Sequence, residues 1–338
     1  MKLLSGAIAA VDHGGSLGRA SALFPHAPQP FVDLSTGINP HSYPLFELPA
    51  TALTRLPEAA QLRELAEIAA AAYGAPSAAH VAAAPGTQIL LPRVASLLRP
   101  GKALVLGPTY AEHARAAAIA GHAVAEVGDF DELADADLAV LVNPNNPDGR
   151  VIEKARLLEL AAWLRAKDGL LVVDEAFMDA GPIEHSLAGD VVEGGIVVLR
   201  SFGKFFGLAG VRLGFALADQ LTTAISYPTA RGCHIRAPDP QPPRGPAARP
   251  AARLDALLGR FDVPVVRGTS LFRYLSFAEA PSLFSALGED GVLVRHFAER
   301  PGVLRIGLPG SEPEWQRLES ALAAWAARRK DASKEIGR

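Results

Sequence analysis

Sulfur is scarce in this chain: its 338 residues include one cysteine, Cys233, and two methionines. A single cysteine excludes an intramolecular disulfide and a cysteine-rich metal site, and it fits a reducing compartment. A charge imbalance is also missing. Lys plus Arg number 33 and Asp plus Glu 36, for a net charge of −3. Nothing in that balance draws the chain to nucleic acid or to an anionic membrane, and neither is expected as a partner. No apolar run is long enough to span a bilayer. The opening "MKLLSGAIAAVDHGG" carries one lysine and a brief apolar run that meets Asp12 and His13 at once, so the expected location is cytoplasmic rather than exported.

What the chain has is an ordinary globular composition, 49% hydrophobic and 20% charged, and enough length for one large domain and a smaller one. Apolar runs alternate with amphipathic stretches. "QLRELAEIAAAAYG" (61–74), "AEHARAAAIAGH" (111–122) and "IEKARLLELAAWLRAKDG" (152–169) have helical period. "ALVLGP", "DLAVLVNP", "LLVVDEA", "GIVVLRS" and "VRLGFALA" read as strands. Strand and helix in repetition predict an α/β domain with a largely parallel sheet and its ligand site at the carboxyl ends of the strands. After Gly259 the pattern changes to strands, a helix near 281–289, two further strands and a last helix from Glu314 to about Arg329. That order suits a small C-terminal α+β domain with a frayed polar tail.

Four short motifs fall at expected strand ends or helix starts. In "LRSFGKFFGLAGVRLGFAL", Lys204 stands among Phe202, Phe205, Phe206 and Leu208. Packing there disfavours the ammonium form and makes the amine a better nucleophile toward an aldehyde, although a lysine snorkelling to the surface fits the same residues. Ser201 and Arg212 bracket it, a hydroxyl and a guanidinium suited to a dianion. In "APGTQ", Gly86 and Thr87 open a helix and present backbone N–H groups to an anion, or form an ordinary cap. In "VDEAF", Asp174 ends an apolar strand, where a buried carboxylate needs a cationic partner; a surface turn is the alternative. In "NPNNPDG", Asn146 can donate to a ligand oxygen or close a local turn.

Taken together, in this order and spacing, the motifs resemble the fold-type I pyridoxal phosphate enzymes, the aminotransferase class that includes histidinol-phosphate aminotransferase. The resemblance implies the α/β fold-type I transferase fold, with a large, mostly parallel sheet domain and a small C-terminal α+β domain. It implies pyridoxal 5'-phosphate as cofactor, Lys204 as the lysine that bonds it and Asp174 as partner of its ring nitrogen. Asn146 would then donate to the ring's phenolic oxygen and Tyr110 of "GPTY" would stack on the ring. Gly86, Thr87, Ser201 and Arg212 would hold the phosphate. Arg305 of "VLRIGLPG" matches the arginine that grips a substrate carboxylate.

One departure narrows the family. Where the aminotransferases usually carry a tyrosine, this chain has Phe177. With that change, "DHGGSLGRA" (His13, Gly14, Gly15) and "FVDLSTGINP" (Ser35 to Pro40, including Asn39) resemble the threonine-phosphate decarboxylases of cobalamin biosynthesis. The resemblance implies a carboxy-lyase, a phosphorylated amino acid as substrate and a homodimer. It also implies an N-terminal segment, 1–40, that contributes to the substrate site, ahead of a large domain over 41–226 and a small one over 253–330, with a tail at 331–338. If His13, Arg295 and Arg305 grip the substrate phosphate, the carboxylate can stand perpendicular to the cofactor ring and leave. Arg295 and His296 of "GVLVRHF" also suit a solvated strand edge, and the His13 region a plain N-terminal turn. Alternatives are a histidinol-phosphate-type aminotransferase and a cofactor-binding relative with a structural or regulatory role.

The stretch "YPTARGCHIRAPDPQPPRGPAARP" (227–250) holds seven of the 27 prolines and has no helical or strand period. A natural loop accounts for it, and so does a GC-rich coding sequence read out of frame between two compensating errors. Residues 227–252 are therefore expected to be irregular.

Overall fold

The computed structural model describes residues 2–3, 13–45, 47–219 and 248–336. The irregular segment expected at 227–252, with Cys233, therefore lies outside the described residues as far as residue 247. Its last residues, 248–252, instead open the helix Ala248–Gly259. The chain divides into two compact units. One comprises Met1–Val11, Tyr43–Asn146 and Arg150–Arg244, the other Asp12–Ser42, Pro147–Gly149 and Gly245–Arg338.

The larger unit is built on an eight-stranded sheet, ordered Lys2–Leu3, Ala123–Val127, Lys102–Leu106, Leu138–Val142, Leu170–Asp174, Ile196–Ser201, Gly214–Ala218 and Val81–Ala84. The strands from Ala123–Val127 to Ile196–Ser201 run parallel. Gly214–Ala218 is antiparallel to both of its neighbours. "LAVLV" and "LLVVD" are buried along their whole length, because helices cover both faces of a parallel sheet and polar residues have no exposed side to occupy. Alternate residues serve two cores. Val172 and Leu199 face one, with Val105 and Ala216. Val173 and Val198 face the other, with Tyr73 and Phe215.

Ala59–Tyr73 shows how local sequence sets a helix. Glu58 caps it, the Gln61 side chain accepts from the Glu58 N–H at 3.0 Å, and Gly74 at φ 75° ends it in the left-handed conformation that favours glycine. The expected strand "VRLGFALA" begins only at Gly214. Ala209–Val211 form a 3-10 turn before it, and Arg212 takes a left-handed φ of 56°.

The smaller unit has a four-stranded antiparallel sheet, Val265–Thr269, Phe272–Ser276, Val303–Gly307 and Arg295–His296, packed on Ala248–Gly259, Ala280–Glu289 and Glu312–Ile336. The N-terminal segment is woven into it. Val32–Asp33 pairs in parallel with Val292–Leu293, and the Gly307 N–H donates to the Leu34 carbonyl at 2.7 Å. The last helix runs to Ile336, so the tail expected to fray from residue 331 continues that helix.

Candidate active site

The parallel strands of the larger unit reverse their order between Lys102–Leu106 and Leu138–Val142, and a ligand cleft in such a sheet opens at the carboxyl ends of those strands. The loops that leave these two strands are tied together. Thr109 Oγ1 donates to Asn145 Oδ1 at 2.7 Å, and Asn145 Nδ2 donates to the Pro108 carbonyl at 3.0 Å. Asn143 closes its own loop, accepting from the Ile152 N–H at 2.8 Å and donating to the Ile152 carbonyl at 3.1 Å. Buried Asn143 and Asn145 are thus held by these bonds, and Asn146 lies half-buried in the same turn.

Asp174 ends its strand buried, and the surface-turn alternative does not hold. Its Oδ1 accepts from the Ala176 N–H at 2.9 Å, and Oδ2 lies 2.9 Å from His113 Nε2. His113 is a residue that the sequence reading missed. It sits in the helix Glu112–Ile119, buried, beside an apolar cavity lined by Val94, Val140, Val172 and Leu199. In so buried a pair the histidine fixes the carboxylate's direction. Tyr110 meets the edge of His113, ring centroids 5.9 Å apart, and its hydroxyl donates to Gln88 Oε1 at 2.9 Å. Burial, with Glu112 and Asp174 nearby, pushes the Tyr110 hydroxyl up to about 12, so it stays protonated.

Lys204 is half-buried rather than enclosed. Of its aromatic neighbours Phe202 is buried, stacked on Phe206 with centroids 4.6 Å apart, while Phe205 and Phe206 are themselves half-exposed. Lys204 Nζ lies 5.8 Å from the centre of the buried Phe177 ring, so the position at which the aminotransferases carry a tyrosine presents a bare aromatic face to the lysine.

Gly86, Thr87, Ser201 and Arg212 come together. Gly86 caps the helix Thr87–Ala95 at φ 88°, and a side chain there would begin 2.7 Å from Arg212 Nη2. Gly214, opposite Ser201 in the ladder, lies against the Thr87 N–H so closely that it too must be glycine. The result is a helix N-terminus, a serine and a guanidinium in one place.

A separate cluster forms within the smaller unit. Arg305, buried on Val303–Gly307, donates from Nη2 to the Ser35 carbonyl at 2.6 Å. Directly across the ladder stands Arg295, half-buried, so two like charges face each other. Burial first, then Arg295, lowers the Arg305 guanidinium to about 10, with Asp33 acting in the opposite sense. Ser35 Oγ donates to Asp33 Oδ1 at 2.6 Å and accepts from the Gly15 N–H at 2.7 Å. Gly15 has φ 84°, and a Cβ on Gly14 would lie 2.5 Å from the Ser35 carbonyl oxygen, which accounts for the Gly14–Gly15 pair physically. His13, just before it, is exposed. His296 packs on Phe284 at 4.9 Å, on the other side of its strand from Arg295. Asn39 Oδ1 accepts from the His41 N–H at 3.0 Å, a local turn.

Among the described residues no helix is long and apolar enough to cross a membrane. Over 328 residues the chain is 41% identical to a threonine-phosphate decarboxylase of Pseudomonas aeruginosa, covering 92% of this chain and 97% of that one. It is 39% identical to a threonine-phosphate decarboxylase of a Sinorhizobium species, over 93% of this chain and 98% of the relative. In fold it is similar to the crystal structure of histidinol-phosphate aminotransferase from Sinorhizobium meliloti in complex with pyridoxal-5'-phosphate. That likeness has a TM-score of 0.70 and 18% identity, over 93% of this chain and 95% of that one. The sequence profile of aminotransferase class I and II matches residues 51–236, and with these relatives it shows that the chain belongs to the aminotransferase class I and II family.

Proposed function

We propose that this chain is a pyridoxal-phosphate-dependent threonine-phosphate decarboxylase, which converts L-threonine O-3-phosphate to (R)-1-aminopropan-2-yl phosphate and carbon dioxide for cobalamin biosynthesis. The observation that carries this reading is the pair Arg295 and Arg305, side by side on neighbouring strands. Two guanidinium groups held together against their own repulsion suit a doubly charged anion, and threonine phosphate carries one in its phosphate. The similarity to two threonine-phosphate decarboxylases along nearly the whole chain supports the same substrate.

The residues fit the cofactor. Asp174 offers a buried carboxylate, aimed by His113, to a protonated ring nitrogen. The Gly86–Thr87 helix start, Ser201 and Arg212 offer the phosphate a hydroxyl, N–H groups and a cation. Lys204 supplies the amine that bonds the aldehyde, Tyr110 a ring to stack on it, and Asn146 a donor for its phenolic oxygen. When bound, the cofactor supplies an electron sink for the pair released when a bond to the substrate's α-carbon breaks. Orientation selects that bond, which makes grip on the substrate's anionic groups the deciding step. Arg295, Arg305 and His13 hold the phosphate, leaving the carboxylate to depart as carbon dioxide. Lys204 Nζ returns a proton to the α-carbon. Phe177 adds no hydroxyl beside the lysine, and its ring keeps water away from that side of Nζ.

The same reading makes the chain a cytoplasmic homodimer. Leu45, Leu48, Leu53 and Leu56, within one short stretch, are 75%, 55%, 87% and 83% exposed, a surface that a second copy would cover. Sedimentation should give twice the chain mass, and Leu53→Glu with Leu56→Glu should shift the protein toward the monomer.

Mass spectrometry of protein incubated with pyridoxal phosphate and L-threonine O-3-phosphate tests the activity. Aminopropanol phosphate is expected with the native chain and not with Lys204→Ala. No amine product from the native chain would defeat the reading.

A further inference from the structure

Beneath the cofactor residues, on the opposite face of the sheet, lies a buried ionic cluster that none of the roles above uses. Arg200 is fully buried in the strand Ile196–Ser201. Its Nη1 donates to Glu175 Oε2 at 2.8 Å and its Nη2 to Asp179 Oδ1 at 2.5 Å, and the guanidinium lies 4.4 Å from the centre of the Tyr73 ring. Glu175, also fully buried, accepts from Ser186 Oγ at 2.6 Å and from the Leu187 N–H at 2.8 Å. Two carboxylates share one guanidinium in a site where unshielded charge is expensive. Burial raises both Glu175 and Asp179 above the ordinary carboxylate range even though Arg200 opposes the shift.

Hydrophobic residues of the same volume would fill this space at no electrostatic cost, so the cluster is better explained by the direction it imposes than by stability. Glu175 follows Asp174, and Ser201 follows Arg200. In a strand successive side chains point to opposite faces. A clamp on Arg200 and Glu175 below the sheet therefore sets the backbone from which Asp174 and Ser201 project above it. The two strand ends are also joined directly, with the Glu175 N–H donating to the Leu199 carbonyl at 2.8 Å.

We propose that Arg200, through Glu175 and Asp179, is a positioning residue that holds Asp174 and Ser201 at the spacing needed to grip the ring nitrogen and the phosphate of one cofactor molecule. The proposal rests on the cofactor placement above, and its test separates the two.

Arg200→Lys keeps the charge and removes the planar fork. The purified holoenzymes of this variant and the native chain are compared for release of pyridoxal phosphate on dilution and for the pH dependence of the bound cofactor's absorbance. Val198→Ala, on the same strand and face, serves as a control that damages the core while leaving every clamp residue in place. Release about tenfold faster, with a displaced absorbance profile, is expected for Arg200→Lys, by analogy with the loss of a partner that orients a metal ligand. Glu175→Gln should show the same two changes at smaller size and covers the case in which Arg200→Lys does not fold. Val198→Ala should lose thermal stability and keep native release and absorbance.

Native release and absorbance in both clamp variants would overturn the proposal, and so would equal changes in Val198→Ala. Asp174→Ala supplies the separation. If it weakens cofactor retention while the clamp variants do not, the clamp alone is wrong; if it too retains the cofactor normally, the placement fails and the clamp with it.

Discussion

Charge is handled differently at two clusters, one in each unit. In the larger unit, carboxylates meet side-chain partners, Asp174 with His113, and Glu175 and Asp179 with Arg200, all packed at strand ends. In the smaller one, Arg305 and Arg295 stand opposite each other on neighbouring strands, and burial makes the first of them an unwilling cation. Internal compensation gives a rigid seat for a resident group. Like charges side by side favour an added anion, at a cost in stability to the empty protein. On the proposed function, this pairing of charges is what separates the cofactor cradle from the substrate grip.

Substitutions can break each side of that comparison. The largest effect is expected at Lys204, where Lys204→Ala should lower kcat by roughly 10⁴-fold, measured as amine product formed under saturating substrate. Asp174→Ala should follow, with a loss of roughly 10²-fold or more in kcat, and His113→Ala should cost about tenfold, because it acts only through Asp174. In the smaller unit the sign of the stability effect should reverse. Arg295→Gln should raise the KM for threonine phosphate by about thirtyfold, the equivalent of ~2 kcal/mol for a charged hydrogen bond. The same change should leave the ligand-free protein as stable or more stable by about 0.5 kcal/mol, since it removes a like-charge neighbour. Calorimetry with and without substrate separates the two.

The smallest effect is one of pH. Burial and Arg295 lower the Arg305 guanidinium to about 10 in the fold, below the ordinary guanidinium value. Between those values the native state holds fewer protons than the unfolded chain, so this group's contribution to stability rises with pH there. Substrate affinity should move the other way, falling as the pH passes about 10 and Arg305 loses its charge. KM measured over that range checks the sign, and Arg305→Lys should shift the point of loss.

Much of this was legible in the sequence. The parallel strands announced themselves as unbroken apolar runs, and the residues assigned to the cofactor fall directly after them. Val81–Ala84 did not, because three alanines carry little strand preference and the strand exists through its pairing with Gly214–Ala218. His113 gave no signal as a lone histidine in an alanine-rich helix. The clamp left a trace, an arginine inside the run "GIVVLRS", where a charge needs a partner. Its partners, Glu175 and Asp179, follow the neighbouring strand Leu170–Asp174, more than twenty residues earlier, and nothing local in the sequence marks that pairing. The Gly14–Gly15 pair was read as a turn or a substrate segment, and the structure adds the Ser35 backbone as the reason that side chains are excluded.

The account is tested most directly by following the carboxyl carbon. L-threonine O-3-phosphate labelled with ¹³C in its carboxylate is given to the holoenzyme together with a keto acid able to accept an amino group. Labelled carbon dioxide appearing in step with aminopropanol phosphate is the predicted result. Label retained in a phosphorylated keto acid, with the amino group passed to the acceptor, would contradict it and make the chain an aminotransferase.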